Sequence, residues 1–420
     1  MSEQVARAEQ ATTSEHAATA AVNTAASYVD IAIIGGGMAG LALGLLLAAK
    51  LPSKTVAVLE QGSQPALDSA PLLPSFDARS TALAAGSEAI LADMGVWQGL
   101  AANAQPIRSV HVSEKRRPFG VLMRPEHIGR ENLGFVVENR ELGRALYAAT
   151  RALPNLSLRY QQSVSALQFD AAVAQLNLAD GSALSAQLVV VADGAQSNLR
   201  EQLAITTRHH DYGQVAIVAN VQPELPHQGQ AYERFTSDGP MALLPLTDVD
   251  GHPRQALIWT MPPAKADELL ALDDRTFLDA LYLQFGRRVG RFVNVSARSS
   301  YPLQLFFAEE QVRSRLVIAG SAAHHLHPVA GQGFNLILRD CRALAQCLAR
   351  GEDLGCVNLL ASYQQAQALD QFQTVQASDL LPKLFSNSDT AAVIARQAVL
   401  LGLDFAPEAL NQFARRAAGL

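Results

Sequence analysis

The stretch VDIAIIGGGMAGLALGLLLAAKLPSKTVAVLE, residues 29–60, decides the fold. Residues 29–34 are a short apolar run of strand length, 35–40 read as a turn, 41–50 as a helix and 55–59 as a second strand. Gly35, Gly37 and Gly40 stand in G-x-G-x-x-G register, and Glu60 closes the second strand about 20 positions later. A β-α-β unit with that spacing offers a helix N-terminus to a pyrophosphate and a carboxylate to a ribose hydroxyl. Residues 31–49 are apolar enough to pass a membrane-span filter. Three consecutive glycines would cost a single helix about 1 kcal/mol each relative to alanine, so strand, turn and buried helix is the better reading.

Two further motifs lie downstream. Residues 316–319 (LVIA) run into GSAAHHLHPVAGQGFNLILRD, residues 320–340, which reads as strand, turn and helix. Pro328 suits a helix approach, and Gly331 and Gly333 leave backbone N–H groups uncovered for an electron-rich group. Residues 189–200, VVVADGAQSNLR, are an apolar strand ending in D-G-x-x-S-x-x-R. There Asp193 and Gly194 make a tight exit, and Ser197 and Arg200 offer donors to phosphate oxygens. Nucleotide-type loops so far apart in the chain suggest one large cofactor gripped at both ends, which suits a flavin dinucleotide better than a nicotinamide.

The 420 residues allow two or three domains, and 49% hydrophobic with 17% charged residues is ordinary for a globular protein. A net charge of −6 argues against general affinity for nucleic acid or anionic membranes. Lys115, Arg116 and Arg117, with Arg124 and Arg130 nearby, are the local exception, read first as a solvated loop and second as a phosphate or partner contact. Three cysteines without C-x-x-C spacing read as free thiols in a reducing cytoplasm. Residues 1–27 lack a secretory h-region, carry acidic residues unlike a transit peptide, and read as a disordered tail.

Short strands are expected at 156–159, 164–169, 175–178 and 187–192, with Asp180-Gly181 as a hairpin turn, and a helix at 142–153. Residues 106–137 read as irregular and charged. The fold class is therefore α/β. A discontinuous Rossmann-like domain is expected at 28–105, 139–205 and 310–362, with an inserted β-sheet substrate domain at 106–138 and 206–309 and a C-terminal helical region at 363–420.

The three motifs, in this order, resemble the signatures of the flavin-dependent aromatic hydroxylases that share the para-hydroxybenzoate hydroxylase fold. FDARSTAL (76–83), GVW (95–97), LGFVVEN (133–139), GPMALLPL (239–246) and SDLL with LFSN (378–387) resemble the ubiquinone-biosynthesis branch. The resemblance implies FAD, NAD(P)H and O2 as cofactors and co-substrate, a prenylated methoxyphenol as substrate, and other ubiquinone-biosynthesis enzymes as partners. It places Gly35, Gly37 and Gly40 against the pyrophosphate, Glu60 on the adenosine ribose and Arg79 near the cofactor. Asp193 and Gly194 would serve FAD and NAD(P)H, with Arg200 nearby. Gly331, Gln332 and Gly333 would present N–H groups to the flavin pyrimidine edge, with Gly320, Ser321, Pro328 and Asn335 in the same signature.

Ser321 stands where the family has Asp, Ile337 where Gly is common, and residues 363–370 lack paired arginines that often follow Tyr363. His324 and His327 match family positions beside the isoalloxazine, as structural hydrogen-bonding groups or, second, as a proton relay. The cluster His324, His325 and His327 lacks a carboxylate partner at zinc-site spacing, so no metal is expected. Residues 393–403 form an apolar helix that either packs on the body or touches a membrane, giving a cytoplasmic protein with peripheral contact at the inner membrane as the second option. The rival readings are a reductase or hydroxylase of the same fold with another substrate, and a catalytically idle flavin-binding subunit, favoured by Ser321 and Ile337.

Overall fold

A computed structural model describes residues 27–65, 77, 79–326, 331–386 and 390–420. The first strand, Ser27–Ile34, is flanked by parallel strands Val56–Glu60 and Ala183–Val191, and the sheet continues to Leu156–Tyr160 on one side and Leu316–Ile318 on the other. The helix Met38–Lys50 crosses over between the first two strands, with nine of its residues buried. It starts three residues before the expected position, because Gly40 packs inside the helix against the turn. Asp180 and Gly181 form the expected hairpin turn joining the antiparallel strands Ala174–Leu178 and Ala183–Val191. The helix expected at 142–153 is Asn139–Thr150.

A nine-stranded sheet is built around the long strand Thr207–Pro223, which pairs with Ser299–Ala308 and His252–Met261. One face carries Ile217, Met241, Leu257 and Trp259 and is covered by helices Pro263–Leu270 and Asp274–Phe285. The first of these helices escaped the sequence reading; its leading prolines are compatible with a helix start. Residues 106–137 are more regular than expected. Strands Ser109–Glu114 and Gly120–Met123 extend the nine-stranded sheet beside Gln230–Phe235, while Gln105–Ile107 and Gly134–Glu138 form a three-stranded sheet with Ser80–Ala84. The charges misled the reading because Lys115, Arg116, Arg117, Arg124 and Arg130 sit in the connections between these short strands and not in the strands themselves.

The tail is helical, as expected. Helices Val357–Ser386, Thr390–Phe405 and Pro407–Ala417 close the chain, and Ala418 accepts a hydrogen bond from the Gly86 N–H at 2.9 Å. Among the described residues no helix is long and apolar enough to cross a membrane. Cys341, Cys347 and Cys356 are free thiols, the first two buried.

Candidate cofactor and substrate site

Ile34 pairs with Leu59 on one side and Val191 on the other, and Val191 pairs with Ile318, so the ends of four parallel strands stand in one row. Backbone bonds carry the row one residue further. The N–H groups of Gly35, Ala192 and Ala319 donate to Leu59, Ile34 and Val191 at 2.8, 2.8 and 2.9 Å. With neighbouring strands about 4.8 Å apart, the three motifs leave the sheet side by side along one carboxyl edge. That crevice is where an open α/β sheet receives its ligand.

The local chemistry fits FAD. The helices Met38–Lys50 and Gln332–Leu348 both begin at glycines, with no side-chain cap and no acidic residue in the first turn. Their leading N–H groups and positive dipole ends are therefore left for an anionic or electron-rich group. Among the described residues, side chains built at Gly194 or Gly333 would meet nothing within 4 Å, which leaves both backbones approachable. At Gly35 and Gly40 the opposite holds. Gly35 has φ +108° and would put a Cβ 2.5 Å from the Ala192 carbonyl oxygen, while Gly40 would put one 1.9 Å from that of Gly35. These two glycines weld turn, helix and strand, and Gly37 starts the helix.

Glu60 sits at its strand end with its carboxylate accepting from the N–H groups of Gly36 at 2.8 Å and Gly62 at 2.7 Å. Each oxygen keeps lone-pair capacity for a hydroxyl donor. Arg79 pairs with Asp77 at 2.6 Å and lies 4.7 Å from the Tyr301 ring centroid, bridging towards the nine-stranded sheet. Gln332 donates its side-chain amide to the Ala417 carbonyl at 3.2 Å, drawing the C-terminus to this helix start.

Arg200 and Ser197 take a different role from the phosphate donors expected. Both are buried; Ser197 caps the short helix Asn198–Gln202 by accepting from the Arg200 N–H at 3.1 Å. The Arg200 guanidinium donates to the carbonyls of Ala322 at 3.0 Å and Ala195 at 3.1 Å and packs over Phe306. It ties the second motif to the third. Asp193 stays exposed at the crevice. Asn335 is also consumed internally. Its amide donates to Ala82 and Gly331, and its oxygen accepts from the Ala84 N–H and the Ser87 hydroxyl, at 2.7 to 2.8 Å.

Gly320 and Ser321 lie in a single 3-10 turn, with Ser321 half-buried. Ile337 is 7% exposed within the main apolar core, so its extra bulk is packed. His327 and Pro328 lie outside the described residues. His324 is buried, and its Nε2 meets Asp340 Oδ2 at 2.6 Å. Asp340 further accepts from the side-chain amides of Gln367 at 2.8 Å and Gln371 at 3.1 Å. His325 stacks on Phe306, and burial, with the His324 and Arg79 charges adding, lowers its basicity.

This network was missed, although Asp340 lies on the same helix face as buried Leu336, Ile337 and Leu344, a position where a carboxylate needs partners. Asp340→Ala would strip buried His324 of its side-chain partner, half-buried Gln367 of its acceptor and buried Gln371 of one of its two acceptors, the other being Gln311; a buried donor left unmet costs about 1–3 kcal/mol before relaxation. The expected result is a loss of at least about 3 kcal/mol in denaturant unfolding.

The uncovered face of the nine-stranded sheet packs through Ala231, Leu244 and Ala256 on the three-stranded sheet. The next row on that face runs through Val112, Glu233, Ala242, Ile258 and Val218, all half-buried. Ala82 joins this surface to the crevice, since it packs with the same cluster and lies 2.9 Å from a Cβ built at Gly331. Glu233 is the ionisable member of the row, and burial pushes its carboxyl up to about 8. The alternation AYERF around it gave no hint of function.

A family model described as "FAD binding domain" matches residues 28–378. Ubiquinone hydroxylase UbiL of Rhodospirillum rubrum is 36% identical over 385 residues, covering 90% of this chain and 87% of the relative. The 3-demethoxyubiquinol 3-hydroxylase of Escherichia coli is 32% identical, covering 93% and 98%. Among solved structures, pqsL of Pseudomonas aeruginosa, described as a probable FAD-dependent monooxygenase, superposes with a TM-score of 0.72 at 21% identity, covering 90% of this chain and all of that one.

Proposed function

The chain belongs to the FAD binding domain family, and we propose on that premise that it is a monooxygenase that uses NAD(P)H and O2 to hydroxylate the ring of a prenylated phenol in ubiquinone biosynthesis. The substrate class is that of 2-polyprenyl-6-methoxyphenol, and the secondary sequence blocks resemble 2-octaprenyl-6-methoxyphenol hydroxylase. The single observation that carries the reading is the row of four strand ends, which brings all three motifs to one crevice beside a half-buried apolar sheet face. The names of the two relatives support the pathway.

FAD, when bound, supplies the exchange of electrons between NAD(P)H and O2. The rest falls to the chain. Glu60 holds the ribose, the N–H groups after Gly37 hold the pyrophosphate, and the start of the helix Gln332–Leu348 stabilises negative charge at the flavin pyrimidine. Val218, Ala242 and Ile258 give a phenol ring and its prenyl tail a dry surface and exclude water. Glu233 accepts the phenol proton, which raises electron density on the ring that oxygen attacks.

The test is NAD(P)H oxidation by FAD-loaded protein with a prenylated methoxyphenol under labelled O2. Stimulation by the phenol with one labelled oxygen atom in the product is expected. Stimulation without labelled product would identify a reductase. An FAD-loaded chain that turns over nothing would favour the idle subunit, for which Ser321 remains the one argument now that Ile337 is accounted for.

A further inference from the structure

On the opposite side of the sheet from Glu233, a cleft of about 370 Å³ opens between the hairpin joining Ser109–Glu114 to Gly120–Met123 and the end of the helix Asp274–Phe285. Its lining includes His111, Arg116, Arg117, Arg234, Arg287 and Arg288. Among the described residues Glu114 is the one carboxylate in that lining, and it is occupied by Arg396 at 2.8 Å and Gln397 at 2.9 Å. Arg234 Nε has no hydrogen-bond partner among the described residues. Five guanidinium groups thus converge on a small volume without a neutralising acid. His111 lies on the floor opposite Tyr232, where burial and the charges of Arg288 and Arg234 lower its pKa to about 4, so it adds no charge near neutral pH.

Along the sheet, His111 lies six strand spacings from the strand His324–His325, roughly 29 Å. The cleft is therefore separate from the cofactor crevice. One exposed apolar side chain belongs to the lining. Phe119, at the hairpin tip, is 39% exposed. The helix Thr390–Phe405 is fastened beside it, with Arg396 on Glu114 and the Gln397 side chain accepting the Phe119 N–H at 3.4 Å, and Val399, one turn beyond Arg396, is 62% exposed. Paired arginines with an apolar rim match a phosphate diester at a bilayer surface, where the fork binds phosphate oxygens and the rim enters the acyl boundary.

We propose that this cleft binds the headgroup phosphate of an anionic phospholipid and seats the protein on a membrane surface. The net charge of −6 makes such contact dependent on this patch and sensitive to salt. The site leaves the sheet face bearing Glu233 open, so docking and substrate binding are compatible.

The experiment is flotation of the full-length, FAD-loaded chain with vesicles of phosphatidylcholine alone or mixed with phosphatidylglycerol. The double variant Arg287→Gln, Arg288→Gln is run beside the parent, and inorganic phosphate is titrated in a parallel melting assay. Both arginines are exposed, so fold and flavin content should be unchanged, as the melting curve and flavin absorbance will report. At about 1 kcal/mol per basic residue, the variant should partition roughly 30-fold less to anionic vesicles. The pair Arg116→Gln, Arg117→Gln should behave likewise. Flotation indifferent to phosphatidylglycerol, or unchanged in both double variants, would overturn the proposal. So would a phosphate-dependent rise in melting temperature, lost in the variants, from a protein that does not float, since the ligand would then be a soluble phosphate.

Discussion

Gly40→Ala is expected to lower FAD affinity by about 100-fold or more. Two effects oppose each other. Alanine favours a helix interior over glycine by about 1 kcal/mol, which would stabilise the helix Met38–Lys50. The added Cβ, however, falls 1.9 Å from the Gly35 carbonyl oxygen, where ordinary contact begins near 3.4 Å. That neighbour is backbone, held by the Gly35 N–H bond to Leu59 and pressed against Ala192. The turn must shift by more than about 1 Å, overpacking of this kind costs about 1–3 kcal/mol, and misplacement of that size costs on the order of 100-fold in a positioned site. Flavin fluorescence titration measures the loss. Ala at Gly194, where the surroundings are open, should do far less to the fold, although it too would obstruct the crevice.

Glu233→Gln should lower kcat by about 100-fold or more, the usual contribution of a positioned base, and should at the same time make the protein more stable in alkali. The folded-state carboxyl titrates near 8 against an ordinary value of 4.5, so between those values the folded chain keeps a proton that the unfolded chain releases. Stability contributed by the protonated form is therefore complete below about 4.5, falls as pH rises through that window, and is spent above 8. The glutamine variant avoids this loss. Its melting temperature should exceed that of the parent at pH 9 and match it near pH 5. For the parent, the rate with saturating phenol should climb towards a plateau above about pH 8, and the variant should lack that limb. A variant with full activity and an unchanged pH profile would remove Glu233 from the chemistry.

The cofactor edge was legible because its requirements are local. A turn that tolerates no side chain at Gly35 or Gly40 writes glycine into the sequence, and a carboxylate that accepts from the Gly36 and Gly62 N–H groups writes Glu60 at the end of the second strand. What each motif does with its polar residues was less legible. Arg200 looks like a phosphate ligand in D-G-x-x-S-x-x-R, yet its targets are carbonyls of Ala195 and Ala322, the latter more than a hundred residues away. Asn335 likewise serves Ala82 and Ala84 on a distant strand. The sheet face proposed for substrate was the least legible part. Glu233 becomes unusual only when four strands place Val112, Ala242 and Ile258 around it, and the arginine cleft only when Arg116 and Arg117 meet Arg287 and Arg288 across the fold.

The central claim is that the loops after Ile34, Leu59, Val191 and Ile318 together hold one flavin dinucleotide. Titration of the purified full-length chain with FAD, followed by flavin fluorescence, tests it most directly. Saturation at one FAD per chain, weakened strongly by Gly40→Ala and by Glu60→Ala, is the predicted result. A folded chain that shows no saturable uptake of FAD would contradict it.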